Sequence, residues 1–230
     1  MKLSENTVHI LKNFSTINQS LQFKSGNTIK TISPTKTVYV EATIGENIPK
    51  EFAIYDLNKL LAKVSLYKDA HLEVGDEHLT IATENKKKFD YIKYCSPQVI
   101  ITPPEKSITF SEPGCAFSLS QEDLDWMRKS AGISGSPNFV FESDGTTINF
   151  IATDVKDNSA DQSKIEIGTV ADGKTFRVVM KVENFKLLDG SYDVAIAKKG
   201  QSGLAQFTHK TIPIKYYIAI EAANSKFGEE

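Results

Sequence analysis

Toward the end of the chain Ile212, Ile214, Tyr216, Ile218 and Ile220 alternate with Pro213, Lys215, Tyr217, Ala219 and Glu221, the two-residue period of a strand with one covered face. The same period runs through Phe176, Val178 and Met180 and through Tyr192, Val194 and Ile196. Between such runs stand Ser25-Gly26, Gly75-Asp76, Asp144-Gly145 and Asp189-Gly190, pairs suited to hairpin turns because glycine tolerates positive φ. Antiparallel sheets are predicted.

Four segments follow a helical period. Over residues 4–14 Ser4 is placed to cap, Val8, Leu11 and Phe14 form the apolar stripe, and Glu5, His9, Lys12 and Asn13 face away. A second helix starts after Asp56, with Leu57, Leu60, Leu61 and Val64 inward and Lys59 and Lys63 one turn apart on the other side. The third opens at Ser120, buries Leu124, Met127 and Ala131, exposes Asp125, Arg128 and Lys129, and is expected to stop at Gly132 in a left-handed conformation. A short fourth covers 182–188, with Val182 and Phe185 inward and Lys181 and Lys186 flanking.

These elements come twice in the same order. Ser4 answers to Ser120, Gly26 to Gly145 and Phe52 to Phe176, at offsets of 116, 119 and 124 residues. A duplicated α+β fold accounts for this, with domains at 1–108 and 109–230. Ser96 to Ser118 holds Pro97, Pro103, Pro104 and Pro113 and reads as an extended, semi-rigid strap between the copies. For 230 residues, two domains of ordinary size are enough to bury their own cores without staples.

Composition narrows the classes further. Hydrophobic residues are 40% and charged residues 24%, as in soluble globular proteins, and no apolar run reaches the ~20 residues that span a bilayer. Met1-Lys2-Leu3-Ser4-Glu5-Asn6 has no apolar signal region, so the expected compartment is the cytoplasm. Cys95 and Cys115 stand apart from any metal-ligand spacing, and reduced thiols are expected, with no metal and no cofactor. The net charge of −2 argues against a surface that coats nucleic acid as a whole, while leaving room for a local basic face.

Chemistry is offered at one place. Gly168 to Thr175 fits the phosphate-loop pattern letter for letter, yet such a loop must open a helix, and Phe176-Arg177-Val178-Val179-Met180 has strand period. A hairpin turn at Asp172-Gly173 fits better, and a nucleotide-binding protein stays as an alternative. His9, His71, His78 and His209 form no zinc-protease motif, and the carboxylates show no local pairing that marks a general acid. No catalytic residue is assigned. Lys12, Lys59, Lys63, Arg128, Lys129, Lys181 and Lys186 all lie on outer helix faces, where a solvated surface and a binding face look alike.

Certain stretches carry a resemblance. Met1-Lys2-Leu3-Ser4, Leu11-Lys12-Asn13-Phe14, Thr16-Ile17-Asn18, Lys24-Ser25-Gly26 and above all Ala53-Ile54-Tyr55-Asp56-Leu57-Asn58 resemble the sliding clamps, or DNA polymerase processivity factors, of T-even-type bacteriophages. In the second half the likeness rests on Glu122-Asp123-Leu124 with Arg128, Ser130 and Gly132, on Gly190 and Tyr192, on Lys199-Gly200, and on Tyr217 to Ala222. The resemblance implies two similar domains of the DNA-clamp type per subunit, with sheets outside and helices lining the hole of a homotrimeric ring. It implies, as partners, double-stranded DNA without sequence preference, the phage DNA polymerase, a clamp loader and late-transcription factors, in the cytoplasm of an infected bacterial host, with no membrane. By the same resemblance the seven basic residues above become DNA-facing, and a peptide pocket is placed on the C-terminal domain. A sheet-rich structural phage protein is the remaining non-enzymatic alternative.

Overall fold

A computed structural model describes residues 1–110, 112–170, 173–199 and 202–227. The chain divides into two compact units, Met1–Ser107 and Ile108–Glu230. No described helix is long and apolar enough to cross a membrane.

The first unit opens with α1 (Glu5–Ile17), capped by Ser4, whose Oγ accepts from the Thr7 backbone N–H at 3.2 Å. Its buried face is Thr7, Ile10, Leu11, Phe14 and Ile17. Val8, expected inward, is only half-buried. The larger apolar set at Ile10 and Ile17 outweighs it, turns the covered stripe toward itself and carries the helix three residues past Phe14. Next come β1 (Leu21–Phe23), β2 (Gly26–Ile32), β3 (Val38–Ile48) and β4 (Phe52–Ile54), with β1 antiparallel to β4 and β2 to β3. Asp56 then caps α2 (Leu57–Ser65) by accepting from the Lys59 N–H at 2.9 Å, and Leu57, Leu60 and Leu61 point inward. The two helices lie side by side, with the Leu57 N–H donating to the Gln19 carbonyl at 2.8 Å. An antiparallel sheet β5 (His71–Val74), β6 (His78–Ala82), β7 (Phe89–Lys93) completes the unit, and Leu72 of β5 exchanges backbone hydrogen bonds with Met1.

The second unit repeats this order with an added first strand. After β8 (Cys115–Leu119), Ser120 caps α3 (Gln121–Ser134), which buries Leu124, Met127 and Ala131 as their spacing predicts. The helix runs through Gly132 and stops at Gly135, φ 63°, where the Ser136 N–H reaches the Ala131 carbonyl at 3.0 Å. A glycine inside a helix costs only about 1 kcal/mol, so the left-handed stop falls at the later glycine. There follow β9 (Asn138–Asp144), β10 (Thr147–Thr153), β11 (Ser163–Thr169), β12 (Thr175–Lys181), β13 (Tyr192–Lys199), β14 (Ser202–His209), β15 (Ile214–Ala219) and β16 (Lys226–Phe227). They pair antiparallel in the orders β11-β10-β9-β12-β16 and β15-β14-β13-β8. Phe139, Phe141, Phe150, Phe185 and Phe207 fill the space between with ring centroids 4.4 to 5.4 Å apart.

Two expectations change here. The fourth helix is a single 3-10 turn, Val182–Asn184, without a side-chain cap: the Leu188 N–H, which a longer helix would send to the Asn184 carbonyl, donates to Tyr216 Oη at 3.1 Å, and the carbonyls that follow the turn are fixed by distant side chains. The Arg128 guanidinium holds those of Phe185 and Leu187 at 3.1 and 3.0 Å, and Tyr192 Oη holds that of Leu188 at 2.6 Å. The strap is also shorter than expected, since Cys115 to Ser118 belong to β8. Its first half is fastened within the first unit, Asn18 Nδ2 donating to the Ile101 carbonyl at 3.1 Å and Lys24 pairing with Glu105 at 3.1 Å.

Candidate nucleic-acid interface

Opposite the buried stripe of α1 stand Glu5, His9 and Lys12, all three exposed. On α2 the corresponding face carries Lys59 and Leu66, with Tyr55 just before the cap. Lys12 and Lys59 have no ion-pair partner among the described residues. Their ammonium groups therefore keep their full attraction for an anion, and both belong to neighbouring helices of one unit.

Lys63 is placed otherwise. Its Nζ contacts Asp90 of β7, and Tyr67 Oη donates to the other carboxylate oxygen at 2.7 Å. Only about a quarter of each of the Lys63 and Asp90 side chains remains exposed, 26% and 27%. The hydrogen bond from Lys63 and then that from Tyr67 hold the Asp90 carboxyl below its ordinary range.

On α3 the face opposite the core holds Glu122, Trp126, Lys129 and Ile133. Lys129 has no ion-pair partner among the described residues, yet its neighbours are apolar: Trp126 is 47% and Ile133 88% exposed. Sequence reasoning passed over these two because they fall outside the buried period. Arg128 is turned to the protein itself, bonded to the Phe185 and Leu187 carbonyls and flanked by Asp125 at 3.9 Å and Asp189 at 3.8 Å. Burial raises the Tyr192 and Tyr216 phenols well above the ordinary range, and both close on Leu188, Tyr216 Oη accepting from its N–H at 3.1 Å. Lys181 ends β12 beside Glu183 at 3.5 Å, and Lys186 is exposed on the segment that Arg128 fastens.

The phosphate-loop letters lead nowhere helical. Gly168 and Thr169 end β11 and Thr175 begins β12, so no helix amino end faces the stretch. Ala171 and Asp172, the latter half of the expected hairpin turn, lie outside the described residues, as does Gly200 of the Lys199-Gly200 pair. Of the histidines, His9 and His71 are exposed and His78 half-buried. His209 is buried: Nδ1 accepts from the Thr211 and Ile212 N–H groups at 3.1 and 3.0 Å, while Nε2 bonds the Asp189 carbonyl at 3.0 Å. This imidazole ties a turn. Among the described residues no cluster of His, Cys, Asp or Glu could hold a metal ion.

Two strands at the ends of their sheets complete the picture. On β7, Phe89 and Tyr91 are 55% and 54% exposed and line a hollow of about 810 Å³ with His71 and His78. On β11, Ile165 stands in register with fully buried Phe150 and is itself only half-covered, and the ladder bulges at Ile167. An uncovered strand edge is open to pairing with another chain.

Residues 2–102 match the family model described as DNA polymerase processivity factor, and residues 116–222 match that of the gp45 sliding clamp, C terminal. The sliding clamp of Vibrio phage KVP40 is 28% identical over 96% of this chain and all of its own length, and that of Enterobacteria phage T4 is 29% identical over 96% and 97%. In fold, the Entamoeba histolytica proliferating cellular nuclear antigen superposes with a TM-score of 0.69 at 11% identity, covering 95% of this chain and 97% of that one. A Helicobacter pylori beta clamp gives 0.70 at 13% identity over 95% of this chain and 64% of that one. Matched in each half by a model of one lineage and from end to end by its phage members, the chain belongs to the sliding-clamp family of DNA polymerase processivity factors.

Proposed function

We propose that three copies of this chain close head to tail around duplex DNA and keep the replicative polymerase on it, without catalysing a reaction themselves. The observation that carries this reading is the pair of exposed lysines, Lys12 and Lys59, on adjacent helices whose other faces are buried. Contacts of that kind neutralise phosphates without reading bases, each adding about −0.9 to the salt slope, so they attract DNA at any sequence. Lys129, Lys181 and Lys186 extend the DNA-facing set in the second unit. Arg128 and Lys63 are left out of it because each is mostly covered and turned to the protein, 24% and 26% exposed, whereas Lys181, though beside Glu183, keeps 52% of its side chain exposed.

The open edges β7 and β11 supply two different patches on one chain, which is what a head-to-tail contact requires. Retention then comes from closure, and a clamp loader opens one interface at the expense of ATP bound elsewhere. One fold neighbour, A. fulgidus PCNA at a TM-score of 0.65 and 13% identity, is solved with the C-terminal region of FEN-1 bound. By analogy the polymerase, the loader and late-transcription factors dock as peptides here, in the cytoplasm of an infected bacterium.

Native mass measurement at micromolar concentration is expected to give about three times the 25.5 kDa chain. Lys12→Glu with Lys59→Glu should keep that mass and lose DNA loading. A strictly monomeric protein, or loading unchanged by the double reversal, overturns the reading.

A further inference from the structure

Lys63 looks like a DNA contact by its place on α2, yet its ammonium group is spent on β7. Asp90 receives Lys63 Nζ on one carboxylate oxygen and the Tyr67 hydroxyl on the other, so both oxygens of a strand residue are held by α2 and the residues just past its end. Asp90 sits between Phe89 and Tyr91, the two exposed rings of that open edge. The second unit has a comparable tie. Ser130 of α3 and Ser163, the first residue of β11, bond through their hydroxyls at 2.6 Å. Each open edge is thus fastened to a helix by a polar side-chain pair.

Resting on the ring reading above, we propose that Lys63, Tyr67 and Asp90 form a strut that sets β7 in the position a second copy of this chain pairs with, and that Lys63 serves the interface between subunits and not the DNA. The strut explains why a lysine beside a DNA-facing lysine is partly buried. An unsupported edge strand frays and presents its donors and acceptors in many geometries; one pinned in mid-strand presents them in one, which lowers the ordering cost of association. Asp90 is in this sense a positioning residue. The depressed carboxyl of Asp90 and the raised phenol of Tyr67, the latter chiefly from its hydrogen bond to Asp90, agree with the pairing.

The experiment measures two quantities on the full-length chain: the trimer's dissociation on dilution, by native mass, and the salt slope of equilibrium binding to a short linear duplex at concentrations where the trimer is intact. Lys63→Met, Asp90→Asn and Tyr67→Phe should each weaken the trimer, by about tenfold for the two charged positions and less for the phenol. All three should leave the salt slope as it was, whereas Lys59→Met flattens it by about 0.9 for each phosphate no longer neutralised. If Lys63→Met perturbs folding, Tyr67→Phe, which removes one hydroxyl from a partly exposed site, still reports on assembly. The swap Lys63→Asp with Asp90→Lys should restore assembly. Trimers as stable as wild type in all three variants overturn the proposal. So does a slope flattened by Lys63→Met or steepened by Asp90→Asn, since either makes Lys63 a phosphate ligand. A wild-type chain that never trimerises, or a Lys59→Met variant with an unchanged slope, is a failure of the ring reading and is told apart by those controls.

Discussion

Arg128 shows how far a single side chain can depart from its place in the sequence pattern. On the helical wheel it borders the polar face, and a lysine or arginine there reads as solvent-facing. Its partners, the Phe185 and Leu187 carbonyls, lie 57 and 59 residues away, and no local period announces them. The guanidinium bridges two acceptors at once, a geometry that a lysine cannot reproduce. Arg128→Ala is therefore expected to lower stability by about 1–3 kcal/mol through the two orphaned carbonyls, seen as a lower urea midpoint. The DNA salt slope should stay unchanged. The caps at Ser4, Asp56 and Ser120 were legible for the opposite reason, since each accepts a bond from the residue three positions on.

Among the elements, α1 is anchored at its start by more than its cap. Glu46 of β3 accepts from the Thr7 hydroxyl and from the Ser4 N–H. Burial pushes the Glu46 carboxyl up, but these hydrogen bonds outweigh it and leave the group below its ordinary 4.5. A carboxyl with a depressed folded pKa contributes stability above the unfolded value and loses it as pH falls through the folded one. Wild-type stability should thus decline from about pH 4.5 downward with a component that Glu46→Gln lacks, measurable as the difference between their urea midpoints from about pH 6 to about pH 3. The helix over 4–14 could be read in outline, yet Glu46, 39 residues beyond Thr7, could not. The fourth helix failed on the same kind of distant competition, because segment 185–188 bonds to α3, Tyr192 and Tyr216 in place of itself.

For the whole molecule, a net charge of −2 argues against bulk attraction to nucleic acid, and in the ring proposed above the few lysines on outward helix faces act on DNA that closure holds near them. Closure must then add to stability. The thermal midpoint is expected to rise with protein concentration over a hundredfold range, as it does for a folded state stabilised by its own partners, and a flat profile would speak for an independent monomer. The duplication was legible at this scale because caps and turn glycines recur at nearly constant offsets. The sheet ends β7 and β11 were not, since which strands lack a neighbour depends on the pairing and not on their own residues. The reduction of the fourth helix to one 3-10 turn has a consequence for motion along the duplex. Among the described residues one unit has two α-helices and the other a single one, so the lining of the three-copy ring proposed above would repeat about every 120° and not every 60°. A double helix threading it would meet alternating firm and slack sectors, and its axis would be biased toward the firmer three.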